Sequence, residues 1–204
     1  MTFSWSDSQR AFTDAADWFM QVTGLVRDQW ADQGLGDWDI RSLIGHTSRS
    51  LITVEAYLAA PARSVDIHSS ADYFRATRIL SAGTEVTQRG IDAGIALGQN
   101  PKEAIAALNA RVTALVNTRS GDERVTTIAG GMLLREYLPT RTFELAVHTA
   151  DLARALGLPL SIPDSAARQA LTIASELSLT NGTAAQTLLL LTGRELTTPP
   201  PSVL

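Results

Sequence analysis

The stretch Pro139 to Gly157, PTRTFELAVHTADLARALG, decides the fold class because it reads as one well-bounded helix. Proline suits a first helical turn, where its missing N–H is not needed, and glycine suits the stop. Projected at about 100° per residue with Glu144 at zero, His148 falls at roughly +40°, Asp151 at roughly −20° and Arg141 at roughly +60°. Four ionisable side chains therefore share a sector of about 80°. Phe143, Leu145, Val147 and Leu152 occupy the other faces. A helix that is apolar elsewhere is buried, and a charged stripe on a buried helix is costly unless it is paired or binds a metal.

Glu144 and His148 have the spacing of a chelating pair. Side chains at i and i+4 lie one turn apart, and a carboxylate with a neutral imidazole suits zinc, iron, nickel or manganese. The same spacing also describes an ordinary Glu–His salt link on a solvated face. A third ligand would have to come from another helix. Of the two other histidines, His46 stands beside an apolar helical stripe and is the better candidate, although a lone histidine there also reads as a partly buried core residue. His68 reads as a loop residue in PARSVDIHSS. Asp151 reads more readily as an ion-pair partner of Arg141 or Arg154 than as a ligand.

Outward from this helix the chain remains helical in pattern. Phe12, Ala15, Ala16, Phe19, Val22 and Val26 mark a helix from about Ser6 to Trp30, with Ser6 or Asp7 as its cap. After the connection QGLGDWD, the residues Ile40, Leu43, Ile44, Thr47, Leu51, Val54 and Leu58 mark a second helix, from about Asp39 to Ala60 and ended by Pro61. A third stretch, roughly Ser70 to Leu97, contains Gly83, Gly90 and Gly94 and is expected to bend or break. Asn100 and Pro101 open a fourth helix to about Asn117. Val125 to Ile128, Gly130-Gly131 and Met132 to Leu134 form either a small hairpin or an irregular loop. Two shorter helices are expected at about Asp164 to Leu177 and Thr183 to Leu191, before the tail TTPPPSVL. Trp5, Trp18, Trp30 and Trp38 read as packing and helix-end anchors.

Composition narrows the function. A net charge of −4 provides no basic footprint for nucleic acid. No apolar run, the Leu188 to Leu191 stretch included, is long enough to span a bilayer, and MTFSWSDSQRAF does not read as a signal peptide, so the expected location is the cytoplasm. The chain has no cysteine, so any thiol chemistry must use a thiol brought by a substrate or cofactor. Gly130-Gly131 lacks the strand–loop–helix context and lysine of a phosphate loop.

Two segments, W38-D-I-R-S-L-I-G-H46 and Y137-L-P-T-R-T-F-E144-L-A-V-H148-T-A-D151-L, resemble the maleylpyruvate isomerase-like, mycothiol-dependent family of actinobacteria, within the DinB-like superfamily. The first is similar to the family's Trp-x-Val-Arg-Asp-Leu-x-x-His pattern and the second to its Thr-Arg-x-x-Glu-x-x-x-His-x-x-Asp-Leu pattern. The ending from Leu191 to Leu204 also looks like endings in that family. The resemblance implies a mainly α protein, a DinB-like four-helix bundle over residues 1–158, with residues 159–204 as a short helical extension and proline-rich tail of the same globule. It implies a divalent metal, zinc or another such as nickel, held by His46, Glu144 and His148.

Three protein ligands leave a position open for water or an exogenous thiol, with mycothiol as the cosubstrate the family implies. A metal-bound thiol is deprotonated and can attack an electrophilic small molecule. Asp151 would orient a ligand, and Arg141 would contact an anion or a structural partner. The chain departs from the family at Ser42, where aspartate is frequent. Only about 56 residues follow His148, whereas the isomerases carry a larger C-terminal domain, so thiol S-transfer is expected at least as much as isomerisation. The competing readings are a non-catalytic binding module and a metal-dependent hydrolase. A homodimer is compatible with a bundle of this kind.

Overall fold

Ser4 opens the first helix by accepting the N–H of Asp7, and α1 runs Trp5–Gly24. The structure, a computed structural model, describes residues 3–78, 84–196 and 202. The helix expected to reach Trp30 stops earlier. A 3-10 turn at Gln29–Ala31 follows, then an antiparallel pair of β1, Gln33–Leu35, and β2, Trp38–Asp39. Gly36 turns between them with φ of 56°, a conformation that suits glycine. Asp39 accepts the N–H of Ser42 and starts α2, Ile40–Leu58.

The third helical stretch is divided between α3, Ser70–Thr77, and α4, Thr84–Ala96. Gly83 lies outside the described residues. Gly94 is a packing position rather than a break. A Cβ on Gly45 would sit 2.1 Å from Gly94 N, and one on Gly94 would sit 2.8 Å from Arg41 O. The backbones of α2 and α4 meet because neither glycine carries a side chain.

Pro101 begins α5, Pro101–Asn117. Of the two expectations for the next segment, the hairpin is the one formed: β3, Arg124–Thr127, pairs with β4, Gly130–Leu133, from Arg124↔Leu133 to Thr127↔Gly130. The long helix α6 then runs Leu134–Ala155 and so begins before Pro139. Its first N–H groups are taken by distant backbone, Leu134 N by Glu123 O and Arg135 N by Gly121 O. Pro139 therefore lies inside the helix and leaves the Arg135 carbonyl without its helical donor. After α6 come α7, Asp164–Thr180, and α8, Ala184–Leu191. Of the proline-rich tail, all but Ser202 lies outside the described residues.

Helices α1, α2, α5 and α6 pack as a bundle, with α4 against α2 and α7 against α1 and α6. Phe12, Phe19, Leu43, Leu51, Ile105, Leu138 and Leu145 are fully buried between them. Gln169 of α7 donates to Ser8 of α1, and Ser165 bonds to Asp14, which fastens the extension to the bundle. The architecture is mainly helical, a bundle plus a helical extension. No described helix is long and apolar enough to cross a membrane.

Candidate metal centre

The site forms where α2 lies against α6. His46 projects from α2, and Glu144 and His148 lie one turn apart on α6. One potential ligand atom from each lies within 4.8 Å of the others. His148 Nε2 is 3.2 Å from Glu144 Oε2. The His46 and His148 rings meet edge to face, with centroids 4.7 Å apart. On its other side His46 lies against the Trp38 ring at 4.3 Å.

Asp151 Oδ2 is 3.4 Å from His148 Nδ1, and Asp151 Oδ1 is 3.5 Å from Arg154. Of the two arginines expected to pair with Asp151, Arg154 is therefore the one that does. The approach to His148 is close enough for ionic attraction but misses hydrogen-bond alignment, so His148 Nδ1 is buried without a hydrogen-bond partner. His46 Nδ1 is buried in the same condition. His68 is exposed and stands outside the cluster.

Burial sets opposite tendencies on the two histidines. Desolvation, reinforced by the charge on His148, lowers His46 to about 3. Desolvation also works to lower His148, but its contacts with Asp151 and Glu144 win and raise it to about 9. Burial would raise Glu144. The His148 contact and the positive charges of His148 and Arg141 reverse this and hold it at about 2. Without a metal, Glu144 is thus a carboxylate facing an imidazolium, with a neutral His46 beside them.

Arg141 is close-packed rather than solvated. Its guanidinium lies 5.3 Å from the Tyr73 ring centroid and 5.1 Å from that of Tyr137, and Nε donates to Thr140 Oγ1. Burial opposes its charge, but Tyr137, Tyr73 and Glu144 outweigh that effect and raise its pKa above the ordinary value. Tyr137 is itself fixed by donating from its hydroxyl to Thr53 Oγ1 at 2.8 Å.

The three candidate ligands line a cavity of about 480 Å³. Its other walls include Arg49, Arg78, Arg89 and Arg141, with Thr53, Tyr57 and Tyr73. Glu144 is the one carboxylate among the described lining residues. Asp151 does not line the cavity and stands behind His148. Arg49 follows His46 by one helical turn, a spacing legible in the sequence, but sequence reasoning missed it. It also missed Tyr73, which arrives on α3 and carries no sequence signal that links it to α6.

Two imidazoles and one carboxylate form a donor set suited to zinc and neighbouring divalent ions. Both imidazoles also keep a buried Nδ1 without a hydrogen-bond partner, so neither ring is committed to a competing hydrogen bond on that side. The residues present therefore fit a divalent cation, and the fold and cluster define a helical bundle with a potential metal site inside an arginine-lined cavity. The family described as mycothiol maleylpyruvate isomerase N-terminal domain matches residues 11–153, and the chain belongs to it. No curated protein and no solved structure matches the chain.

Proposed function

We propose that this protein is a divalent-metal-dependent enzyme that activates an exogenous thiol, mycothiol in the reading its family supports, for S-transfer to or isomerisation of an electrophilic small acid. The observation that carries the reading is the convergence of His46, Glu144 and His148 on one cavity whose remaining charged walls are arginines. His46, Glu144 and His148 would hold the metal, zinc or a relative such as nickel. A bound divalent cation would supply a lowered thiol pKa and hence a thiolate at neutral pH. The chain has no cysteine of its own, so that sulfur comes with a cosubstrate.

The chain's own groups complete the task. Arg141, clamped between Tyr73 and Tyr137, presents a fixed positive charge beside Glu144. Arg49 adds a second from α2. Together they orient an acid group on the electrophile, because a guanidinium matches a carboxylate in both charge and shape. Asp151 attracts the His148 ring from behind and biases its orientation. We assign these roles within a bundle of residues 1–158, with 159–204 as an extension of the same globule, a division supported by the packing of α7 on α1 and α6.

The test begins with metal analysis of untagged protein purified without added metal, where about one divalent ion per chain is expected. Conjugation is then assayed with mycothiol and an unsaturated carboxylic acid, beside its methyl ester. Thiol-dependent turnover that favours the acid and disappears in His46→Ala supports the proposal. Full activity after the metal is stripped, or turnover without thiol, defeats it, and the latter outcome favours a hydrolase.

A further inference from the structure

His46 makes no hydrogen bond through its buried Nδ1, so something else must fix the plane of its ring. The side chain best placed to do so is Trp38. Its ring lies 4.3 Å from His46 with an interplanar tilt of 30°, close to an offset stack. Trp38 is buried and is held from two further directions. Its Nε1 donates to Thr87 O on α4 at 2.9 Å. The face of α4 beneath it is bare backbone: a Cβ on Gly90 would fall 2.6 Å from the indole. The indole thus fills a slot cut for it by Gly90, is pinned at its nitrogen, and supports the imidazole. The packing of α4 on α2 through Gly45 and Gly94 keeps that slot at a fixed distance from His46.

We propose that Trp38 is a positioning residue for His46: seated on Gly90 and tied to Thr87, its indole sets the ring plane in which His46 would meet a metal. The inference rests on the metal reading of His46, Glu144 and His148 and goes beyond it. It makes α4, which supplies none of the three ligands, part of what shapes the site. Metal-ligating histidines ordinarily have their free ring nitrogen oriented by a hydrogen bond. In this site an aromatic face takes over that task.

The test uses cobalt(II) as a spectroscopic probe in the full chain, with Trp38→Phe, Trp38→Leu and Gly90→Ala. Affinity is measured by chelator competition, the visible d–d spectrum reports ligand geometry, and circular dichroism confirms the helical fold. Trp38→Phe keeps an aromatic face and is expected to retain the wild-type spectrum with little loss of affinity. Trp38→Leu removes the face and is expected to weaken binding about 10-fold, in the range seen when groups that orient metal ligands are removed, and to change the spectrum. Gly90→Ala pushes the indole without altering it and is expected to shift the spectrum in the same direction.

Wild-type spectrum and affinity in both Trp38→Leu and Gly90→Ala would overturn the positioning role while leaving the metal reading intact. If Trp38→Leu does not fold, a wild-type spectrum in Gly90→Ala overturns the role and a shifted one supports it. Failure of the wild-type chain to bind cobalt or zinc overturns both readings.

Discussion

Gly45→Ala sets two effects of opposite sign against each other. Gly45 lies inside α2, where alanine is the better helix former by about 1 kcal/mol. On helix propensity alone the substitution stabilises. The new Cβ, however, would fall 2.1 Å from Gly94 N, 2.5 Å from Gly94 Cα and 2.7 Å from Ala93 C. All three are backbone atoms of α4, so no side chain can swing aside. Ordinary contact begins at 3.4 Å, so the two helices must part by about 1.3 Å (3.4 minus 2.1). Overpacking costs typically ~1–3 kcal/mol, and a clash with rigid backbone belongs at the upper end. The steric effect therefore wins, with a net loss of about 2 kcal/mol once the propensity gain is subtracted. For a chain of this size that corresponds to a melting temperature lower by about 4–8 °C. Urea unfolding followed by far-ultraviolet circular dichroism measures it. Gly24→Ala is the control: Gly24 is exposed, a Cβ there would meet no atom within 4 Å, and the residue ends α1 without positive φ, so the change should be neutral or slightly stabilising. Gly94→Ala combined with Gly45→Ala should cost less than the sum, because parting the helices once relieves both clashes. Gly45→Ala as stable as wild type would refute the claim that α2 and α4 touch through backbone.

Asp151→Asn keeps the shape of the side chain but removes the charge facing His148, and is expected to weaken metal binding roughly 10-fold in chelator competition; unchanged affinity would deny Asp151 its orienting role. Arg49→Met is expected to raise KM for an acid-bearing electrophile about 10-fold, as loss of one charge-assisted contact would, and to leave the corresponding ester unaffected; equal effects on acid and ester would remove Arg49 from acid recognition. Glu123 accepts the N–H groups of Ser120 and Gly121, which, against its partial burial, hold its carboxyl below the ordinary 4.5. Its stabilising contribution is thus present above that value and lost as pH falls through the lower folded value, so Glu123→Gln should cost a fraction of a kcal/mol at pH 7, limited by solvent screening, and progressively less in acid. A stability gap between Glu123→Gln and wild type that stays constant from pH 7 to pH 3 would show that the charge is not responsible.

The parts of this protein legible in its sequence are those fixed by local geometry. The 3.6-residue repeat alone puts Arg141, Glu144, His148 and Asp151 on one face of α6, because no distant contact can change the angle between residues of one helix. His46 is likewise narrowed by being one of three histidines and by its place beside the apolar stripe of α2. What escapes is set by contacts across the fold. The start of α6 depends on carbonyls of Gly121 and Glu123, so Pro139 misleads as a first-turn residue. Gly94 resembles a helix breaker until Gly45 is seen against it. The sequence does identify Trp38 as an anchor, but its second contact, with His46, depends on the β1–β2 turn that swings it over α2. Asp151 could have paired with either neighbouring arginine; the tyrosines brought by α3 and α6 claim Arg141 and leave Arg154.

The charges on α6 also bear on what the cavity is for. In the metal-free chain the innermost set, leaving aside the solvent-exposed Arg154, is balanced: Glu144 and Asp151 are opposed by His148 as imidazolium and by Arg141, with His46 neutral. Ligation requires His148 to give up its proton, which removes one positive charge, while a divalent cation adds two. The same set would then carry one surplus positive charge in a largely buried site, and isolated charge there is unfavourable. A singly charged anion in the cavity restores the balance, and a thiolate is such an anion. Further charge on the electrophile would be met by Arg49 and the outer arginines, beside Arg141, rather than by the metal ligands. On the proposed reading, this division would let thiol and acid be recognised by different groups in one cavity. It would also account for an arginine wall beside a candidate site whose ligands include only one carboxylate.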